Sequence, residues 1–314
     1  MKLITLALLF SSFSSLTLTE VANNFVQWKF NCHDFFIRNP SKKSVLIVPT
    51  IFKGPQYKMI CQRWKHEYRF ATLYDTERRI PVFSAYTFFE DLKTKRSKIW
   101  KIEPQLENIE EYKKKKEMVD SREVENNANI THQAVDLDYK DREVNKTVYT
   151  RGHVFPCNYA ASQDQADSTF TLTNVAPQSN VSNWNWEKQV EQPMLHNITN
   201  ICRINQNQKV YIVTGVIPGD ERLNIKRNDK NIEKGINIPS HFWSAFCCTS
   251  KNNNTKLISR AYIAELGIFK RRCTTIDKLN EQLTIEYRKR KSLKEDEYFS
   301  VFPGLSVDNI EYPC

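Results

Sequence analysis

Short runs in which apolar residues dominate or alternate with polar ones punctuate the chain, and each predicts a strand. Ser44-Val45-Leu46-Ile47-Val48 is the first. Arg69-Phe70-Ala71-Thr72-Leu73-Tyr74-Asp75 and Ile80-Pro81-Val82-Phe83-Ser84-Ala85-Tyr86 follow, joined by Thr76-Glu77-Arg78-Arg79, a polar link that suits a hairpin. Pro81 predicts an edge position, because proline has no N–H for a central ladder. Thr169-Phe170-Thr171-Leu172-Thr173-Asn174-Val175 reads as a further strand closed by Pro177, and 209–216, 242–249 and 257–264 as three more. Helical patterns begin near Asn183, where Pro193 should end or kink the helix, and at Ile276, running to about Lys291. Antiparallel strands with segregated helices give the class α+β, built on a central antiparallel sheet. Residues 105–147 are charged and poor in aromatics, which predicts a surface insertion with some helix inside one domain spanning 20–314.

The first residues change the setting. Met1-Lys2, an apolar core from Leu3 to Phe10, and small or polar residues from Ser11 to Thr19 read as a secretory signal over 1–19. No later run approaches the roughly 20 apolar residues of a spanning helix, so the expected location is extracellular. Eight cysteines in such a chain predict up to four disulfides, Cys157 among the bridged. Sequons at Asn129, Asn145, Asn180, Asn197 and Asn253 fit the same route. A net charge of +10 favours polyanionic partners without choosing among them, and the basic runs 113–116 and 288–291 read as solvated faces.

Candidate chemistry concentrates between Tyr149 and Leu195. Phosphodiester hydrolysis needs a base for water, a cation, and often an arginine for phosphate oxygens. His153, Arg151 and Asn183 offer these in one segment. Mg²⁺ keeps several waters, so one neutral Asn ligand suffices and leaves the cation's charge for the phosphate. Glu191, about two helical turns after Asn183, falls toward a similar side and can order metal-held water.

Thr150-Arg151-Gly152-His153, then Thr171-Leu172-Thr173-Asn174-Val175-Ala176-Pro177-Gln178, then Asn183 and Glu191, resemble in order the DNA/RNA non-specific endonuclease family. Within it the chain is most similar to the secreted endonuclease domain-containing branch, through Ile60-Cys61-Gln62-Arg63, Arg69 to Tyr74, Arg79 to Tyr86, Glu103-Pro104-Gln105 and Phe242 to Cys248. The resemblance covers most of the chain from Cys32 to Cys273. It implies a ββα-metal (His-Me finger) motif, with His153 as general base, Asn183 as ligand of Mg²⁺ or another divalent cation such as Mn²⁺, and Glu191 ordering the hydration shell. It also implies phosphate contacts from Arg151 and from a hairpin arginine, Arg79 or else Arg78, with Asn174 lining the substrate site. DNA and RNA are the implied substrates, cut with little sequence preference.

The chain departs from the family in three places. Thr150 stands where the family motif begins with Asp; Trp186 comes one place early, which predicts a register shift between Asn183 and Glu191; and the chain ends at Cys314 without the membrane-associated tail of some relatives. Plainer roles also exist: Asn183 as a helix N-cap, Glu191 or Glu187 as solvated helix residues, Trp184 and Trp186 as packing or base-stacking residues. The competing function is a catalytically silent nuclease fold, secreted to bind anionic ligands. A further enzyme alternative hydrolyses small nucleotide phosphodiesters.

Overall fold

The computed structural model describes residues 20–88, 93–124, 129–140, 142–205, 208–227 and 230–309. The expected leader, 1–19, and Cys314 lie outside the described residues. Strands Tyr57–Trp64, Glu67–Asp75, Ile80–Phe88, Val210–Arg227, Lys230–Thr249, Leu257–Glu265 and Lys270–Thr274 lie side by side in that order, each antiparallel to the next. Asp308–Asn309 adds parallel to Leu257–Glu265. The class is α+β, as the patterning predicts.

Both faces of this sheet are covered. On one, Leu73, Phe83, Val213 and Trp243 pack against Trp28 of helix Phe25–Asn31 and Leu279, Leu283 and Tyr287 of helix Ile276–Lys289. On the other, Phe70, Tyr86, Phe242 and Tyr262 meet Phe155, Tyr159, Trp186 and Val190, which belong to the segment carrying the candidate chemistry. Alternate side chains of one strand therefore enter different cores, which is why Ile80–Phe88 is buried along its whole length.

Several expectations are corrected. Ile80–Phe88 is central, and Pro81 is tolerated because it lies beside a register shift against Tyr74 and beyond Phe83, the last residue paired with Val210–Arg227. The Thr169 to Val175 run curls into a 3₁₀ turn, Leu172–Asn174, before strand Val175–Ser179. Buried hydroxyls drive this: Thr171 and Thr173 donate to Glu103 Oε1 at 2.6 and 3.0 Å, satisfying polar groups that a pleated strand would leave to the ladder. The 105–147 segment is less of a surface insertion than its charge implies, since Ile130, Ala134, Val135 and Tyr139 join the core. Val210–Arg227 and Lys230–Thr249 extend far past their predicted ends as a bulged hairpin.

Disulfides Cys32–Cys61 and Cys202–Cys248 tie the first helix and the end of helix Gln192–Ile201 to the sheet. Cys273 is also disulfide-bonded. Cys157 and Cys247 are free and buried, so the bridge expected at Cys157 is absent.

Candidate active site

His153 ends strand Thr147–His153, which pairs antiparallel with Val175–Ser179 so that His153 faces Val175 across the ladder. Gly152 permits the close approach of this pair to the sheet: a Cβ there would fall 2.3 Å from Gln178 Oε1 and 3.1 Å from Phe242 Cζ. Beyond His153 the chain is fastened by Asn174. The Phe155 N–H and the Ser84 hydroxyl donate to Asn174 Oδ1, and Asn174 Nδ2 donates to the Phe155 and Thr169 carbonyls, all at 3.0 Å. Phe155 stacks flat on Tyr86, ring centroids 3.9 Å apart, which anchors this loop to the sheet.

The His153 ring is 9% exposed, meets Phe170 edge-on at 4.8 Å and lies 5.4 Å from Trp100. Its Nε2 is buried and has no hydrogen-bond partner among the described residues. Burial first, then the positive charges of Arg96 and Arg151, bring the imidazole pKa down to about 3. The ring is therefore uncharged near neutrality, the form that can accept a proton.

The opposite wall is a helix. Ser179, not Asn183, caps it, accepting the Ser182 N–H at 3.1 Å, and the helix runs from Asn180. Asn183 thus lies one turn in, with its amide not spent on capping. From Glu187 to Glu191 the helix widens into a π turn, the Gln192 N–H donating to Glu187 O, before continuing as Gln192–Ile201 through Pro193. The proline does not end it. The cause is legible in the buried stripe Trp186, Val190, Met194, Ile198, which recurs every four residues. A regular α-helix drifts by roughly 40° per such step, and a wider turn absorbs the drift. One α turn of about 3.6 residues plus a π turn of roughly one more spans about eight, so Asn183 and Glu191 come onto one face.

His153, Asn183, Glu187 and Glu191 line one cavity of about 320 Å³, together with Cys157 and Arg96. Burial, then the neighbouring Glu187 carboxylate, push the Glu191 carboxyl up to about 8. Arg96, which the sequence reading passed over, lies with its guanidinium 5.4 Å from the Phe170 ring centre and its Nη1 3.9 Å from Cys157 Sγ. Its only sequence signal is a basic run, 93–98, just ahead of Trp100.

The other predicted residues lie elsewhere. Arg151 points from the same strand face as His153 but is clamped between Trp100 and Tyr139, 4.9 and 5.5 Å from their ring centres, and is ion-paired with Asp136. Asp136 thus supplies a carboxylate partner for this arginine where Thr150 cannot. Arg79 lines a separate cavity with Thr131 and His132, donating to the Thr131 and Gly235 carbonyls at 2.8 Å each. Arg78 binds Asp75 and the Arg290 carbonyl. Asn174 is fully buried and spends its amide on the loop after His153, so it positions that loop instead of meeting substrate.

The pattern of the DNA/RNA non-specific endonuclease family matches residues 54–293, which include the sheet and both walls of the cavity. The chain belongs to that family. Endonuclease domain-containing 1 protein of Homo sapiens is 33% identical to this endonuclease-family chain over 204 residues, 64% of the chain and 36% of the human protein. The Mus musculus protein of the same name is 30% identical over 193 residues, 60% and 34% of the two chains. This chain spans about a third of the length of these curated relatives. A crystal structure of the EndoG/EndoGI complex aligns with a TM-score of 0.42 at 17% identity, covering 70% of this chain and 83% of that one.

Proposed function

We propose that this chain, read as one endonuclease-like unit from 20 to 314, is a secreted phosphodiesterase that cuts DNA and RNA with little sequence preference and depends on Mg²⁺ or a similar divalent cation. One observation carries the reading: a neutral, unpartnered imidazole nitrogen shares a cavity with an uncommitted amide, a carboxyl pair and an arginine. The donor set fits a hard cation. Asn183 offers an amide oxygen, and the Glu191 carboxyl, raised to about 8 by burial and then by the Glu187 charge, holds a proton that a cation's positive charge would displace. A bound divalent cation supplies charge neutralisation at the phosphate and leaving oxygen.

The residues divide the remaining work. His153 takes the proton of the attacking water, its low basicity kept by burial until phosphate and water are in place. Arg96, which lines the same cavity beside the Phe170 ring, holds phosphate oxygens. Asn183 and Glu191 fix the cation and its waters, and Arg151, engaged with Asp136, tunes His153 by charge. Little sequence preference follows where contacts go to phosphate and not to base edges. Two disulfides support an oxidising destination. Asn145 and Asn253 are exposed sequons, whereas Asn197 is half-buried with its amide donating to the Tyr262 hydroxyl at 2.8 Å.

Plasmid nicking with and without chelator tests the reading. His153→Ala should lower cleavage by about 10²-fold or more, with circular dichroism and melting unchanged. Full activity in that variant removes the assignment. The silent-fold reading draws on the engagement of Arg151 by Asp136, and a parent chain that binds DNA yet never nicks it selects that alternative.

A further inference from the structure

Two tryptophans two residues apart behave oppositely in the cavity helix. Trp186 is 2% exposed and packs edge-on against Phe242 at 5.5 Å, while Trp184 is 60% exposed and lines the His153 cavity. No ring or cation contact holds the Trp184 indole among the described residues, and the fold gains no core from it. A large bare indole is a rare surface residue, and it is rarer still as part of a polar cavity wall. Its surroundings define what would cover it. Asn183 precedes it in the chain, Asn180 lies one helical turn earlier on the same wall, and Arg96 lines the same cavity as the cation. A ligand satisfying all of these has a flat apolar face joined to an anion, which describes a nucleotide whose phosphate is held in the cavity.

The geometry points to Trp184 as a nucleobase-binding subsite that stacks an unpaired base next to the phosphate held at His153. This rests on the phosphodiesterase reading and deepens it, since the base faces of a duplex are covered by their neighbours and become available only in single strands, frayed ends or extruded nucleotides. Stacking accepts every base, so the subsite favours strandedness without reading sequence. The enzyme then cuts single-stranded nucleic acid in preference to duplex.

Fluorescence polarisation with the full mature chain, in chelator so that nothing is cleaved, tests this with a labelled eight-nucleotide thymidylate and a fully abasic oligomer of the same length. Trp184→Ala should weaken thymidylate binding by about five- to 150-fold, the range set by one lost stacking contact. Trp184→Phe should restore most of it, and the abasic oligomer should bind all three chains alike. Equal thymidylate affinity for parent and Trp184→Ala overturns the subsite and leaves the indole to a protein contact. Equal loss on both oligomers also overturns it, as damage to the helix. A parent that binds thymidylate through Trp184 but, with Mg²⁺ or Mn²⁺ supplied, cuts neither plasmid nor single-stranded DNA overturns the hydrolase reading and keeps the subsite; a parent that cuts DNA yet binds the thymidylate no better than the abasic oligomer overturns the subsite and keeps the hydrolase reading.

Discussion

What an arginine does in this fold depends on what its guanidinium already touches. Arg79 is committed to two carbonyls in a left-handed turn residue, φ 56°, while Arg96 has its charge at the cavity. Arg96→Ala should therefore reduce turnover by about 10²-fold or more without a change in melting, as loss of one charge-stabilising group does. Arg79→Ala should cost about 1–3 kcal/mol of stability, because it strips partners from partly buried carbonyls, and leave the rate per folded molecule intact. Urea unfolding and plasmid cleavage on both variants check the pair; the reverse pattern would return the role to Arg79. That His153, Asn183 and Glu191 line one cavity follows from a single stretch, 147–191, in which strands Thr147–His153 and Val175–Ser179 pair and the cavity helix starts directly after the second. Arg96 was not legible in the sequence, because its arrival beside His153 depends on a chain path and on ring contacts with Phe170 that no local spacing encodes.

Elements show the same division. The hairpin at 76–79 and the helix from Ile276 follow from local pattern, with Thr275 accepting the Lys278 N–H as cap. The Thr-rich run before Val175 misled because β-branched residues favour strands, while Glu103, distant in sequence, claims their hydroxyls. The π turn accompanies the four-residue spacing of the buried residues Trp186, Val190, Met194 and Ile198. If the wide turn only absorbs the four-residue drift, deleting the exposed Gln189 should give a regular helix with Asn183 and Glu191 seven residues apart and still on one face. Cleavage within about threefold of the parent and an equal or higher melting temperature are expected. A hundredfold loss in a folded variant would show that the wide turn itself sets the Glu191 carboxyl.

At the scale of the molecule, a polar network runs through the apolar layers. Glu20 is fully buried, its Oε1 accepting the Arg63 N–H at 2.9 Å, and burial together with Glu103 holds its pKa well above the usual carboxylate range. A carboxyl raised in the folded state contributes most below its unfolded value and loses that contribution as pH rises through the folded one. Glu20→Gln keeps the acceptor and removes the ionisation. The variant should melt with the parent below about pH 4 and above it at pH 8. Identical melting curves across that window would show that Glu20 is not the group responsible.

Cys247 and Cys248 are neighbours in the chain, yet only Cys248 is crosslinked, to Cys202, while Cys247 is buried in the other core. In an unfolded chain the two thiols are nearly equivalent targets for Cys202. Only the pleat, by sending adjacent side chains to opposite sides, tells them apart. A strand slipped by one residue would offer Cys202 the wrong sulfur, so the native crosslink and the native register of the ladder select one another.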